Sequence, residues 1–320
     1  MGNDENSLKL DLNTVGGPTP PEKVELQQET PDVSLRYDAL RESDVNNIAF
    51  PSRPTLITLF GISECGKTTF VGSLFAILRR RPHLLKATFI DSDTLTGFER
   101  RVHQRFLSES GRSIIQRTQR KAGSILNVVL GNEQGENKQM FVISDLSGEI
   151  YKDSISDKSV VLQQSAVKYA DKLVIFVDIE ALLIPKSYNS YKTNFKSLLT
   201  RFKDNEMLPE ESEIFVAFNK IDKVDILANQ EAQNEVGAVD EAKKAEFIKV
   251  WEERKKSVVD LINEIVLIPE ANIFEICSLG IVVGEEDKGL INLFSRILTK
   301  KQQVSLPATY NWIKNITKAD

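Results

Sequence analysis

With 320 residues, of which 41% are hydrophobic and 27% charged, the chain has the make-up of a globular protein large enough to bury a sizeable core. A formal net charge of −5 and a pI near 5.4, with no long basic tract, argue against a nucleic-acid partner. No run reaches the roughly 18 apolar residues of a membrane span, and the polar, acidic start fits neither a signal peptide nor, with Asp4, Glu5 and Asn6 after Met1-Gly2, a myristoylation pattern.

Residues 1 to about 33 are polar and rich in Pro and Gln, with Gly16-Gly17-Pro18 and Pro20-Pro21, and are expected to form a flexible arm. A short helix within 34–50 is expected to lead into the first strand, so the arm is taken as 1–50, the main domain as 51–302 and a C-terminal extension as 303–320. The apolar, β-branched run Thr55-Leu56-Ile57-Thr58-Leu59-Phe60 reads as a strand within 54–60. It enters Gly61-Ile62-Ser63-Glu64-Cys65-Gly66-Lys67-Thr68, a match to G-x-x-x-x-G-K-[ST] at every fixed position, and a helix over 67–80 leaves it. In such a loop backbone N–H groups and the helix N-terminus wrap a phosphate chain. Lys67 reaches its β- and γ-phosphates, the Thr68 hydroxyl ligates Mg²⁺, and Ser63, Glu64, Cys65, Gly66 and Thr69 line the cradle with Gly61 at its entry.

About forty residues follow before the next strand, longer than ordinary connections. In this insertion, about 82–122, Phe98, Val102, Phe106 and Leu107 recur at helical spacing, and Arg100, Arg101, Arg105, Arg112, Arg117 and Arg120 crowd the stretch. Those arginines read as a solvated basic face, with Arg117 the candidate for a charge-neutralising arginine supplied in cis. A hairpin within 123–145 turns over the polar stretch 131–138 and ends in Asp145-Leu146-Ser147-Gly148-Glu149. Next come a helix at about 157–170, a strand at 172–178, a helix at about 189–204 and a strand at 213–218 that opens onto Asn219-Lys220-Ile221-Asp222. A helix at about 239–266 carries Phe247, Trp251, Val258, Leu261, Ile262 and Ile265 on one face. A strand at 272–277 leads into Cys277-Ser278-Leu279-Gly280, and a helix at about 286–301 closes the domain. Strands alternating with helices imply a mostly parallel sheet covered on both faces.

Taken in order, these strings resemble the motif set of P-loop GTPases of the Ras-like and translation-factor (TRAFAC) superclass, over about residues 54–300. The Gly-Lys-Thr-Thr-Phe string, Thr94-Leu95-x-Gly97-Phe98 and Asp-Leu-Ser-Gly-Glu are further similar to bacterial double-GTPase-type domains. The resemblance implies an α/β, three-layer P-loop NTPase fold with one antiparallel edge strand, and a Mg²⁺-dependent molecular switch that binds GTP and hydrolyses it to GDP. Asp222 would accept hydrogen bonds from guanine N1–H and the 2-amino group, which adenine cannot supply. Lys220 would lie along the base, Asn219 would tie this loop to the phosphate loop, and Ser278 and Leu279 would lie at the guanine oxygen. Asp145 would hold Mg²⁺ through water, and the Gly148 N–H would sense the γ-phosphate. Thr118 is the candidate for the second Mg²⁺ hydroxyl, with Thr94 and Thr96 as alternatives.

One position departs from the family pattern. Many members place Gln or His after D-x-x-G to position the attacking water; here that residue is Glu149, whose charge opposes that of a γ-phosphate. Two alternatives therefore stand beside the GTPase reading: a GTP-binding scaffold with little turnover, and an ATP-using P-loop enzyme. A protein effector or activator and a homodimer are the expected partners. The two cysteines, Cys65 and Cys277, both fall in candidate nucleotide loops and fit a reducing, cytoplasmic setting.

Overall fold

The computed structural model describes residues 38–41, 53–103, 124–233, 239–279 and 288–299, all within one compact unit, Leu35–Asp320. Thr118, Arg117, Gly280, the C-terminal extension and all of the arm except 38–41 lie outside the described residues.

Seven strands form one sheet: β1 Thr55–Phe60, β2 Thr88–Asp91, β3 Ile125–Gly131, β4 Gln139–Ser144, β5 Lys172–Asp178, β6 Glu213–Asn219 and β7 Ile273–Ile276. Their order is β2-β3-β4-β1-β5-β6-β7. The pairs β4–β1, β1–β5, β5–β6 and β6–β7 are parallel. Only β3 runs against its neighbours, so the antiparallel pairing lies at the edge side of the sheet, with β3 one strand in and β2 forming the edge. Strands β1 and β5 are buried along their whole length, which is why they read as unbroken apolar runs and not as alternating ones.

Ten helices are described: α1 Lys67–Arg80, α2 Leu95–His103, α3 Gly148–Ser154, α4 Lys158–Leu162, α5 Ser165–Lys168, α6 Ile179–Leu183, α7 Pro185–Asp204, α8 Asp222–Ala232, α9 Glu241–Ile265 and α10 Lys288–Ile297. On one face of the sheet Leu173, Ile175, Val216 and Phe218 pack with Tyr151 of α3, Phe195 and Phe202 of α7, and Trp251 of α9. On the other, Ile57, Val174, Phe176 and Phe215 pack with Phe70 and Leu74 of α1, Phe98 of α2, and Phe294 of α10. Each such large apolar side chain contributes about 1.5–3 kcal/mol on burial.

The single helix expected at about 157–170 is broken. Asp157 caps a new helix by accepting from the Ser159 N–H, and Gln164 leaves helical geometry and donates from Nε2 to the Val160 carbonyl (2.8 Å). α7 starts earlier than expected because Pro185 fits its first turn. The insertion after α1 holds more structure than one helix: a 3₁₀ turn at Pro82–Leu85, then β2 and α2. Residues 38–41 also join the sheet unit. The Leu40 N–H donates to the Ile125 carbonyl (2.9 Å), and Asp38 pairs with Arg100 of α2 (2.5 Å).

α2 lies hard against α1. Phe98 stacks on Phe75 with ring centroids 4.9 Å apart, and a β-carbon placed on Gly72 of α1 would meet the Arg101 carbonyl oxygen at 2.5 Å. Alanine at an exposed helix glycine is worth about 1 kcal/mol of added stability. Here the sign should reverse: Gly72→Ala is expected to lower the unfolding free energy by about 1–3 kcal/mol through overpacking, read as a lower urea midpoint at unchanged slope.

Candidate functional site

The carboxyl ends of β1, β4, β5, β6 and β7 open on one side of the sheet, where α/β folds place their ligands. Register pairs Asp178 of β5 with Asn219 of β6, and Asn219 with Ile276 of β7. The loops leaving these strands line a cavity of about 380 Å³. Its walls include Ser63, Glu64, Gly66, Lys67, Thr68 and Thr69 from the first loop and Leu146 to Glu149 from the second. Asn219, Lys220 and Asp222 come from the third, and Cys277, Ser278 and Leu279 from the fourth. Four strings spread over more than two hundred residues thus meet in one space, whose size falls within the range of ligand pockets.

Glu64 and Gly66 both adopt positive φ (69° and 94°), which curls the backbone of the first loop before α1 begins. A side chain at Gly66 would also strike Asn219 Nδ2, 2.1 Å from where its β-carbon would lie. Gly61 lies at the end of β1, and its carbonyl accepts from Lys67 Nζ (2.7 Å); the Ile62 carbonyl also accepts (3.3 Å). The Lys67 ammonium further stands 5.4 Å from the Tyr151 ring centroid, while the Tyr151 hydroxyl donates to the Leu59 carbonyl. Gly148 backs onto the loop: its missing side chain would meet Ser63 Cα at 2.3 Å.

Asn219 joins three loops. Its Nδ2 donates to the Cys65 carbonyl (2.8 Å), and its Oδ1 accepts from the Ser278 N–H (3.0 Å). The tie from Asn219 to the phosphate loop is the one expected from sequence. The fourth loop is held again where Ser73 of α1 donates to the Ser278 carbonyl (2.5 Å). Ser278 is buried, and its own Oγ has no hydrogen-bond partner. Leu279 is more than a third exposed at the rim. The Cys277 thiol donates to Asp222 Oδ1 (3.1 Å) and so helps orient the carboxylate expected to read the base.

Lys220, in left-handed backbone geometry, is held by Asp178 (2.8 Å) and Glu180 (3.1 Å). Burial works against its ammonium, but the two carboxylates outweigh that and raise its pKa above the ordinary lysine value. Burial likewise works against the Glu180 carboxylate, and Lys220 and Lys223 prevail and lower its pKa. Asp178 also caps α6, accepting from the Glu180 and Ala181 N–H groups. Cys65 is fully buried, and burial raises its pKa despite Lys67, which keeps the thiol protonated and unreactive.

Asp145 is buried at the end of β4. Thr68 Oγ1 donates to its Oδ1 (3.3 Å), so the two described residues expected at a metal lie together. A hydroxyl and a carboxylate, with no imidazole or thiolate, suit Mg²⁺, which keeps waters and takes phosphate oxygens from its nucleotide. Thr94 is committed elsewhere, donating to Asn127 Oδ1 (3.1 Å) and accepting from its N–H (2.9 Å). Glu149 lies in the first turn of α3, where its N–H donates to Ser147 Oγ (3.4 Å). Arg101, read from sequence as part of a solvated face, is buried and donates from Nε to Asp145 Oδ2 (2.8 Å).

Sequence reasoning misses Arg101, Tyr151, Asp178 and Glu180, all of which act across the chain. Asp178 alone left a signal, as a carboxylate closing an apolar run at the edge where ligands bind.

The strand order and the four loops at the carboxyl edge define a P-loop GTPase. The chain belongs to the Double-GTPase 2 family, whose sequence model matches residues 55–268. No curated protein matches it in sequence. Among solved structures it is similar to the signal recognition particle receptor SRb-GTP/SRX complex from Chaetomium thermophilum, at 13% identity and TM-score 0.36, over 78% of this chain and 98% of that one. It is also similar to the S. cerevisiae Ski7 GTPase-like domain bound to GTP, at 11% identity and TM-score 0.39 over 78% of this chain. The Methanosarcina barkeri Roco2 RocCORdC bound to GDP matches at 11% identity and TM-score 0.30, also over 78% of this chain. The alignments cover 51% and 49% of the Ski7 and Roco2 chains, so this chain spans about half their length. Among the described residues no helix is long and apolar enough to cross a membrane.

Losing Asn219 should loosen two loops at once. Asn219→Ala removes hydrogen bonds to Cys65 and Ser278 and leaves buried groups without partners, at about 1–3 kcal/mol. Guanine-nucleotide affinity measured by fluorescence titration is expected to fall by about tenfold or more, with circular dichroism unchanged.

Proposed function

We propose that this chain binds GTP with Mg²⁺, hydrolyses it to GDP and phosphate, and acts as a switch read by a protein effector. The observation that carries this reading is the single cavity lined by Lys67, Thr68, Gly148, Asn219, Lys220, Asp222 and Ser278. Guanine would lie between the third and fourth loops, with Asp222 accepting from its N1–H and 2-amino group, the Lys220 stem along its face and Ser278 beside its oxygen. The phosphates would lie along the Ser63–Thr69 loop, with Lys67 exchanging its contacts to Gly61 and Ile62 for phosphate oxygens. Mg²⁺ would be held by Thr68 and, through water, by Asp145; bound there, it neutralises charge on the β- and γ-phosphates. The Gly148 N–H, beside Ser63, would report the γ-phosphate. Thr118 and Arg117 keep their proposed roles as the second metal hydroxyl and a charge-neutralising arginine.

Glu149 favours a second reading, a GTP-binding scaffold with little turnover. It lines the cavity and brings a carboxylate where a neutral water-positioning residue is usual. Hydrolysis in the first reading is therefore slow and dependent on an activator or a second copy of the chain. The two cysteines, neither in a disulfide, fit a reducing, cytoplasmic setting.

Purified protein is expected to bind GTP and GDP at least a hundredfold more tightly than ATP, and to release phosphate from GTP only with Mg²⁺. Lys67→Ala should abolish release, and Asp222→Asn should move preference from guanosine to xanthosine nucleotides. Equal affinity for ATP would overturn the guanine reading. Tight GTP binding without phosphate release at any protein concentration would leave the scaffold.

A further inference from the structure

Arg101, in the described part of the insertion, touches a group expected at the metal. Its Nε donates to Asp145 Oδ2 at 2.8 Å, with the two side chains 7% and 1% exposed. Asp145 Oδ1 accepts from Thr68, so the carboxylate is divided between the metal-side hydroxyl and a guanidinium. The guanidinium is braced: Nη1 donates to the Gly97 carbonyl one turn back on α2 (3.0 Å). The helix is fixed in turn by the Phe98–Phe75 stack and by the approach of the Arg101 carbonyl to Gly72. Neither Arg101 nor Asp145 is among the groups that line the nucleotide cavity, so Arg101 meets the carboxylate from the α2 side and not across the phosphates.

We propose that Arg101 is a resident counter-ion of Asp145 that Mg²⁺ has to share, which weakens metal binding at this site and lets α2 feel the metal. An arginine cannot shed its charge to make way for the metal. A buried carboxylate left without a cation is costly, so the pair balances the site before Mg²⁺ arrives. Once the metal competes for Asp145, the guanidinium holds a partner whose charge is partly spent, and its grip on α2 weakens. The insertion thereby reports metal occupancy through one ion pair. The proposal rests on the GTP–Mg²⁺ reading of the cavity and assigns this chain's own α2 a role in it.

The test uses the full chain and a fluorescent GDP analogue, whose dissociation rate is followed against buffered free Mg²⁺. Arg101→Met is expected to lower the Mg²⁺ concentration for half-maximal slowing of release by about tenfold, while Arg101→Lys, which keeps the charge, stays within about threefold of wild type. A midpoint for Arg101→Met that is unchanged or higher overturns the proposal. Should Arg101→Met fail to fold, wild-type hydrogen exchange decides: amides of 95–103 are expected to exchange faster with GDP and Mg²⁺ than with GDP and chelator. Equal or slower exchange overturns the proposal. Wild-type binding of the analogue at saturating Mg²⁺ separates the two levels. No binding there removes the guanine-site reading and this proposal with it, whereas binding with an unshifted midpoint removes only the role of Arg101.

Discussion

The site depends on a buried amide. Asn219 is 1% exposed and stands at the end of β6, where the parallel register with β5 and β7 places it at the centre of the carboxyl edge. Its amide group has one donor face and one acceptor face, and the fold uses both: the phosphate loop takes the donor and the fourth loop takes the acceptor. An aspartate could not donate to the Cys65 carbonyl, and a leucine could do neither. The close contact with Gly66 follows, because the amide occupies the volume a side chain there would need. The sheet thus sets the position of Asn219, and Asn219 sets the spacing between the two halves of the cavity.

Charge is balanced around that amide in a four-residue cluster and a separate pair. On the base side, Lys220 is shared between Asp178 and Glu180, and Glu180 is shared again with Lys223. In the proposed reading, a lysine so held would keep its ammonium away from the base and offer its alkyl stem as an apolar surface. On the metal side, Arg101 balances Asp145. Buried ion pairs of this kind add little net stability compared with apolar packing, because desolvation offsets the Coulomb gain. Their effect is on geometry: at Asp145 and Asp178 the cation fixes one carboxylate oxygen and leaves the other to face Thr68 or a helix N-terminus.

What could be read from sequence, and what could not, divides along the range of the interactions. The phosphate loop, Asp145–Glu149, Asn219–Asp222 and Cys277–Leu279 are contiguous strings, each following an apolar run, so order alone predicts that they meet. Strands β1, β5 and β6 were legible because burial on both faces demands unbroken apolar residues. β2 was not: Thr88–Asp91 is short, partly exposed and without an apolar run, and it exists because β3 offers an open edge. The break after α4 was missed because Gln164 acts through a local hydrogen bond that periodicity does not register. Arg101 was missed for a different reason. Six arginines in one stretch look alike in sequence, and the depth at which α2 docks on α1 distinguishes buried Arg101 from Arg100 beside it, which is exposed and pairs with Asp38.

That docking also changes what the insertion can do. In a loop without structure, a segment between α1 and the hairpin could be ordered only by the ligand, at the entropic cost of fixing every residue. For its described part, residues 82–103, much of that cost is met by the fold. β2 extends the sheet beside β3, the Asp38–Leu40 segment pins α2 and the start of β3 together, and Phe98 is buried against Phe75. A ligand at the cavity then needs only to bias contacts that remain adjustable, and in our proposal the ion pair joining α2 to Asp145 transmits that bias. A small free-energy change at the carboxylate can then move a whole helix, because the helix is packed as a unit and cannot yield residue by residue.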